Sequence, residues 1–113
     1  MKQGEIWLVN LDPTLGAEMK KTRPAIIIND DALGKLPLKI IVPVTDWKEH
    51  YSNVPWMIKI ESSYNSGLSK KSSADSFQVR SISQDRLIKK LGHASIEEIA
   101  KIKEGIAKVI GLL

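Results

Sequence analysis

Four side chains in this sequence have the chemistry to hold an anion and to move a proton. They are Arg23, directly before Pro24; Thr45, at the close of an apolar run; and Asp75 with Gln78, inside a third apolar stretch. Read singly, they are a surface arginine, a strand-ending threonine, a solvated aspartate and an amide. Their common feature is that they fall at or near the ends of strand-like segments. Other chemistry is excluded more firmly. The chain has no cysteine, which removes disulfides, thiolate nucleophiles and cysteine zinc sites together. His50 and His93 stand in regions without ligand spacing, so no structural metal and no cofactor is expected. The nucleophile elbow, the phosphate-binding loop, the dinucleotide glycine fingerprint and the H-E-x-x-H zinc motif are all missing.

These residues must be positioned by a small protein. At 113 residues, 42% of them hydrophobic and 27% charged, the chain predicts one domain over residues 1–113 with a single modest core. The net charge of +4 suits an anionic partner, either nucleic acid or an acidic protein segment. The opening MKQGEIWLVN lacks an apolar leader, and no window approaches 18 uninterrupted apolar residues. A soluble, cytoplasmic protein with no membrane contact is expected.

Aromatic and branched residues predict strands over residues 4–9, 24–28, 38–44 and 55–60, then over Ser73 to Ile82 and Arg86 to Leu91. Residues 30–37 read as a polar connection with one helical turn at most. Pro43, near the end of the third strand, marks a sheet edge or a bulge. Ser95 with Glu98 three residues later forms a capping box. Isoleucines at spacings of three and four follow it, which predicts an amphipathic terminal helix with Lys101, Glu104 and Lys108 facing water. Five or six strands and one helix imply a mostly β fold: a small antiparallel barrel or curled sheet with the helix packed on it.

The connection between the first two strands is too long for a hairpin turn. It reads LDPTLGAEMKKTRP and spends Gly16, Glu18, Lys20, Lys21, Thr22 and Arg23 before the second apolar run begins.

Taken in order, Gly4-Glu5-Ile6-Trp7, Leu11-Asp12-Pro13-Thr14, Gly16, Glu18, Thr22-Arg23-Pro24, Val42-Pro43-Val44-Thr45, Gln78-Val79-Arg80-Ser81-Ile82 and the isoleucine-rich last helix resemble the MazF/PemK family of toxin endoribonucleases over nearly the whole chain. The resemblance implies an SH3-like barrel of the CcdB/PemK type with a C-terminal helix. It also implies a homodimer and metal-independent cleavage of single-stranded RNA, leaving a 2′,3′-cyclic phosphate and a 5′-hydroxyl. A cognate antitoxin would lay its C-terminal segment across the RNA groove. By the same resemblance, Arg23 offers its fork of donors to the phosphorane, with Pro24 biasing its backbone toward an extended form that aims it. Thr45 hydrogen-bonds the same phosphate. Asp75 is the candidate base or an orienting group, Glu18 assists the base or positions Arg23, and Lys20, Lys21, Thr22, Gln78 and Arg80 bind RNA. Trp47 either stacks an unpaired base or packs.

The sequence departs from the family pattern at three places. Ser73 stands where some relatives have an arginine, and Ala17 where some have a histidine. The stretch Ala74 to Gln78 carries two extra residues relative to relatives that read Asp-Gln directly. The general acid is thereby unassigned, and either Asp75 or Gln78 takes the family position. Two other readings remain open. One is a gyrase-poisoning toxin of the same barrel, although such toxins use a tryptophan near the C-terminus and this chain ends Ile110-Gly111-Leu112-Leu113. The other is a basic binding module without catalysis.

Overall fold

Strands β1 (Glu5–Asn10) and β2 (Thr22–Ile27) pair antiparallel, with Ile6 against Ile26 and Val9 against Arg23. The computed structural model describes residues 1–33 and 35–113; Gly34, in the polar connection after β2, lies outside the described residues. That connection contains one 3-10 turn, Asp31–Leu33. Then come β3 (Leu38–Asp46), β4 (Met57–Ile60), β5 (Ser72–Asp75), β6 (Arg80–Ser83), β7 (Leu87–His93) and helix α1 (Ile96–Val109). All ladders are antiparallel, in the order β4-β5-β3-β2-β1-β7, with β6 also on β3.

The mostly β architecture with a terminal helix is as the sequence predicts, with seven strands instead of five or six. Among the described residues no ladder joins β6 to β7, so the sheet is not closed into a barrel by strand pairing.

The extra strand arises because Ser73 to Ile82, which reads as one strand, is interrupted. Along one edge of β3, Val44 pairs with Ala74 and Ile41 with Arg80. Between those pairs β3 advances three residues and its partner six, so three residues bulge out as the 3-10 turn Ser76–Gln78. Pro43 explains why the interruption is tolerated. The Ile40 carbonyl accepts from Ile28 N–H at 2.9 Å, so the backbone groups of even-numbered β3 residues face β2. Those of Pro43 face the other edge, where the bulge leaves the ladder open and no donor is required.

Each face of the sheet carries its own apolar cluster. Ile6, Ile26, Val42, Val44, Ile60 and Ala74 pack beneath α1 around Ile102. On the opposite face lie Val9, Leu11, Ala25, Ile27, Ile41 and Ile82, with Met19 against them. The capping box forms as predicted: Ser95 Oγ accepts from Glu98 N–H, and Glu98 Oε1 accepts from Ser95 N–H. Lys101, Glu104 and Lys108 are exposed. Gly105 lets α1 approach the bulge, since a Cβ there would sit 3.0 Å from Ser76 Oγ and 3.4 Å from the Trp56 Cα. The helix thus supports the bulge from behind.

Candidate active site

Antiparallel partners point to the same face of a sheet, so the register shows which polar residues share one. Thr45 pairs with Ser73, and Ser73 with Lys59. The β2–β3 ladder runs to Ala25 with Pro43, and two residues further along each strand stand Arg23 and Thr45. Asp75, paired with Met57, is two residues from Ser73 and on its face. Arg23, Thr45, Ser73, Asp75 and Lys59 therefore share the face turned away from α1. Thr45 lies inside β3, which continues through Asp46.

The β1–β2 connection is tied at its neck. Leu11 N–H donates to Lys21 O at 2.9 Å, and Asp12 Oδ1 accepts from Lys21 N–H at 3.0 Å. Arg86 Nη1 donates to the carbonyls of Asn10 and Asp12, and Arg80 Nη1 to Leu11 O at 3.4 Å. Lys21 takes a φ of 69°, a left-handed turn that an L side chain seldom adopts. Immediately after it the chain enters β2, and Arg23 Nε donates to Lys20 O at 2.9 Å, which fixes one edge of its guanidinium. Lys20 and Lys21 are exposed, as is Thr22 at the start of β2, opposite Asn10.

At the tip of the loop, Glu18 folds back on Leu15. Its Oε1 accepts from Leu15 N–H at 2.7 Å while its own N–H donates to Leu15 O. Glu18 braces this turn, whereas Arg23 Nε donates to Lys20 O. Ala17 and Met19 lie against the bulge. Gln78 Oε1 accepts from Met19 N–H at 2.5 Å, and Gln78 Nε2 sits 3.5 Å from Ala17 O and 3.4 Å from Asp75 Oδ2. Asp75 Oδ1 also accepts from Phe77 N–H at 3.1 Å, capping the 3-10 turn. Burial raises the pKa of the Asp75 carboxyl, and the hydrogen bonds from Phe77 and Gln78 oppose that only in part. The extra residues thus bring Asp75 and Gln78 together.

Between loop and bulge opens a cleft of about 470 Å³ lined by Met19, Pro43, Phe77, Gln78 and Arg80, among others. Trp47 stands outside it, half-buried, with Lys59 Nζ 4.8 Å from its ring centroid and Tyr51 edge-on at 5.9 Å. These contacts favour packing for Trp47. Sequence reasoning missed Ser73, whose hydroxyl is fully buried beside Thr45 without a hydrogen-bond partner. Its presence at a position where some relatives have an arginine was the available signal. Phe77 and Lys59 were also missed as parts of this face. Among the described residues no cluster of three or more histidine, cysteine or acidic side chains is placed to hold a metal ion, and no helix is long and apolar enough to cross a membrane.

The family model described as "PemK-like, MazF-like toxin of type II toxin-antitoxin system" matches residues 2–110. The chain is 32% identical to Endoribonuclease MazF9 of Mycobacterium tuberculosis, over 94% of this chain and 92% of that protein. The structure of MazF from Deinococcus radiodurans superposes with a TM-score of 0.83 at 19% identity, covering 98% of this chain and 96% of that one. A mycobacterial endoribonuclease solved in complex with its cognate antitoxin gives 0.78 at 17% identity, covering 100% and 97%. At these identities the two structures establish a shared fold.

Proposed function

Because the chain belongs to the PemK-like, MazF-like family of type II toxin–antitoxin toxins, we propose that it cuts single-stranded RNA at short sequences, without a metal, by in-line attack of a 2′-hydroxyl on the adjacent phosphate. The O2′–P bond forms as the P–O5′ bond breaks, leaving a 2′,3′-cyclic phosphate and a 5′-hydroxyl. The observation that carries this reading is the shared face of Arg23, Thr45 and Asp75 beside the loop cleft.

The step needs a proton acceptor at the 2′-oxygen, donors for the charge gained by the phosphoryl oxygens, and a proton for the leaving 5′-oxygen. Asp75, with its raised pKa, is the acceptor, and the leaving 5′-oxygen takes its proton from solvent. The fork of Arg23 and the Thr45 hydroxyl supply the donors, and Arg23 is already held by Lys20 O. Glu18 and Gln78 hold the loop and the bulge in place around them. Lys20, Lys21, Thr22 and Arg80 bind the RNA backbone and bases at the mouth, and Trp47 borders the site through Lys59. Dependence on the 2′-hydroxyl would make the enzyme inactive on DNA.

A cognate antitoxin would block the same groove with an acidic, apolar segment that orders on binding; that a relative was solved in complex with its cognate antitoxin supports a partner of this kind. Exposed Leu36, Leu38 and Ile40, at the start of β3, suit a second copy of the chain in a homodimer. The deciding experiment is incubation with a long single-stranded RNA in EDTA, beside Arg23→Ala and Thr45→Ala, with the cut ends sequenced and their termini identified. Cuts at one recurring word with cyclic-phosphate ends, lost in both variants, support the proposal. Intact RNA with folded wild type overturns it.

A further inference from the structure

The cleft between loop and bulge is built for a flat ring. Its apolar wall consists of Met19, Pro43, Phe77 and Val79, while Gln78 and Arg80 add hydrogen-bonding groups. Phe77 is 60% exposed, an unusual state for an aromatic ring that gains free energy on burial. It is nonetheless held in place. Its ring centroid lies 5.4 Å from that of Trp56 at a tilt of 58°, its N–H is capped by Asp75, and the turn that carries it rests on α1 at Gly105. An exposed aromatic ring on a rigid mount in a cleft that also holds a basic side chain, Arg80, is suited to stacking an unpaired base.

We propose that Phe77 is the platform for one base of the RNA, and that the bulge thereby sets one position of the recognised word. The inference rests on the ribonuclease reading above. The base is assigned from Arg80, which spends only a long 3.4 Å hydrogen bond on Leu11 O and so has donors left over. A guanidinium fork selects a base edge with two adjacent acceptors, and guanine, through O6 and N7, is the base that offers them. Gln78, through the 2.5 Å bond that its side-chain oxygen accepts from Met19 N–H, holds the two walls together.

The test is the cut-site profile of a long unstructured RNA for wild type, Phe77→Ala and Phe77→Trp, with melting temperature and sedimentation measured on each. Wild type should require guanine at one position of its word. In Phe77→Ala cleavage efficiency should fall roughly tenfold to a hundredfold, the range expected for loss of one stacked base, the guanine preference should weaken at that position alone because the base is no longer held flat against Arg80, and Phe77→Trp should restore both. Unchanged preferences in a folded, cutting Phe77→Ala overturn the inference and leave the ribonuclease reading standing. Equal loss at every position with altered sedimentation makes Phe77 an interface residue and overturns it too. A folded wild type that leaves RNA intact overturns both.

Discussion

The side-chain oxygen of Gln78 accepts the Met19 N–H at 2.5 Å, joining residues 59 apart in sequence and tying the β1–β2 loop to the bulge between β5 and β6. Gln78→Leu removes that acceptor and leaves the Met19 N–H without a protein partner. Amide hydrogen exchange at Met19 should accelerate, and stability should drop by about 1 kcal/mol, the net worth of one such bond. If Met19 exchange is unaltered, the tie does not hold the loop in solution.

Arg23 and Thr45 each stand two residues beyond the Ala25–Pro43 pair, on β2 and β3. A lysine replaces the fork by a point charge, so Arg23→Lys should lose much of the activity that Arg23→Ala loses, by roughly 10²–10³ in kcat, the usual effect of deleting one transition-state donor. Thr45→Ser keeps the hydroxyl and should stay within about tenfold of wild type, whereas Thr45→Val should fall with the arginine variants. Single-turnover rates on a short RNA would separate these cases. A fully active Thr45→Val would remove Thr45 from the mechanism.

Burial raises the pKa of Asp75 in the folded chain. The native state therefore retains this proton at a pH where the unfolded chain has released it. The stability contributed by the protonated group is complete below the unfolded pKa and is lost as pH rises through the folded one. Asp75→Asn, which cannot ionise, should therefore melt higher than wild type at neutral pH, and the difference should shrink on acidification. Its cleavage should lack the rising limb that wild type shows above the ordinary carboxylate range. A melting difference independent of pH would refute this account.

Gly105 gives α1 its close approach to Ser76 and Trp56. Gly105→Val forces the helix and the bulge apart, and overpacking of this kind costs about 1–3 kcal/mol. Because the bulge carries Phe77 and Gln78 and is capped by Asp75, cleavage by the fraction still folded should fall as well. Ser95→Ala serves as the control: it loses a capping box worth about 1 kcal/mol at a helix end far from the bulge, and its cleavage per folded molecule should match wild type.

Much of the architecture was legible because it is written in local periodicity. Ser95 and Glu98 announced the start of the helix and Asn10 the end of β1, whereas β2 begins at Thr22, two residues before the Pro24 at which its apolar run starts. Pro43 signalled a sheet edge or a bulge before any partner strand was known. The bulge itself escaped detection because Ser73 to Ile82 alternates plausibly as one strand, and only the mismatch in advance along β3 reveals the three looped residues. The site divides in the same way. Arg23, Thr45 and Asp75 were visible as residue types in a familiar order, but their common face is a matter of register between strands distant in sequence. Ser73, Lys59 and Phe77 carry no motif, and their place emerges only from pairing and exposure.

The neck of the β1–β2 loop has a further consequence. Leu11, Asp12 and Lys21 close it with backbone and carboxylate bonds, and Arg86 clamps the entering carbonyls, so the ends of the loop are held independently of its tip. Gly16, at the tip, has open space around it. Lengthening such a closed loop costs only about 0.6 kcal/mol for each doubling. An insertion beside Gly16 should therefore be tolerated while β2, and Arg23 within it, keeps its place.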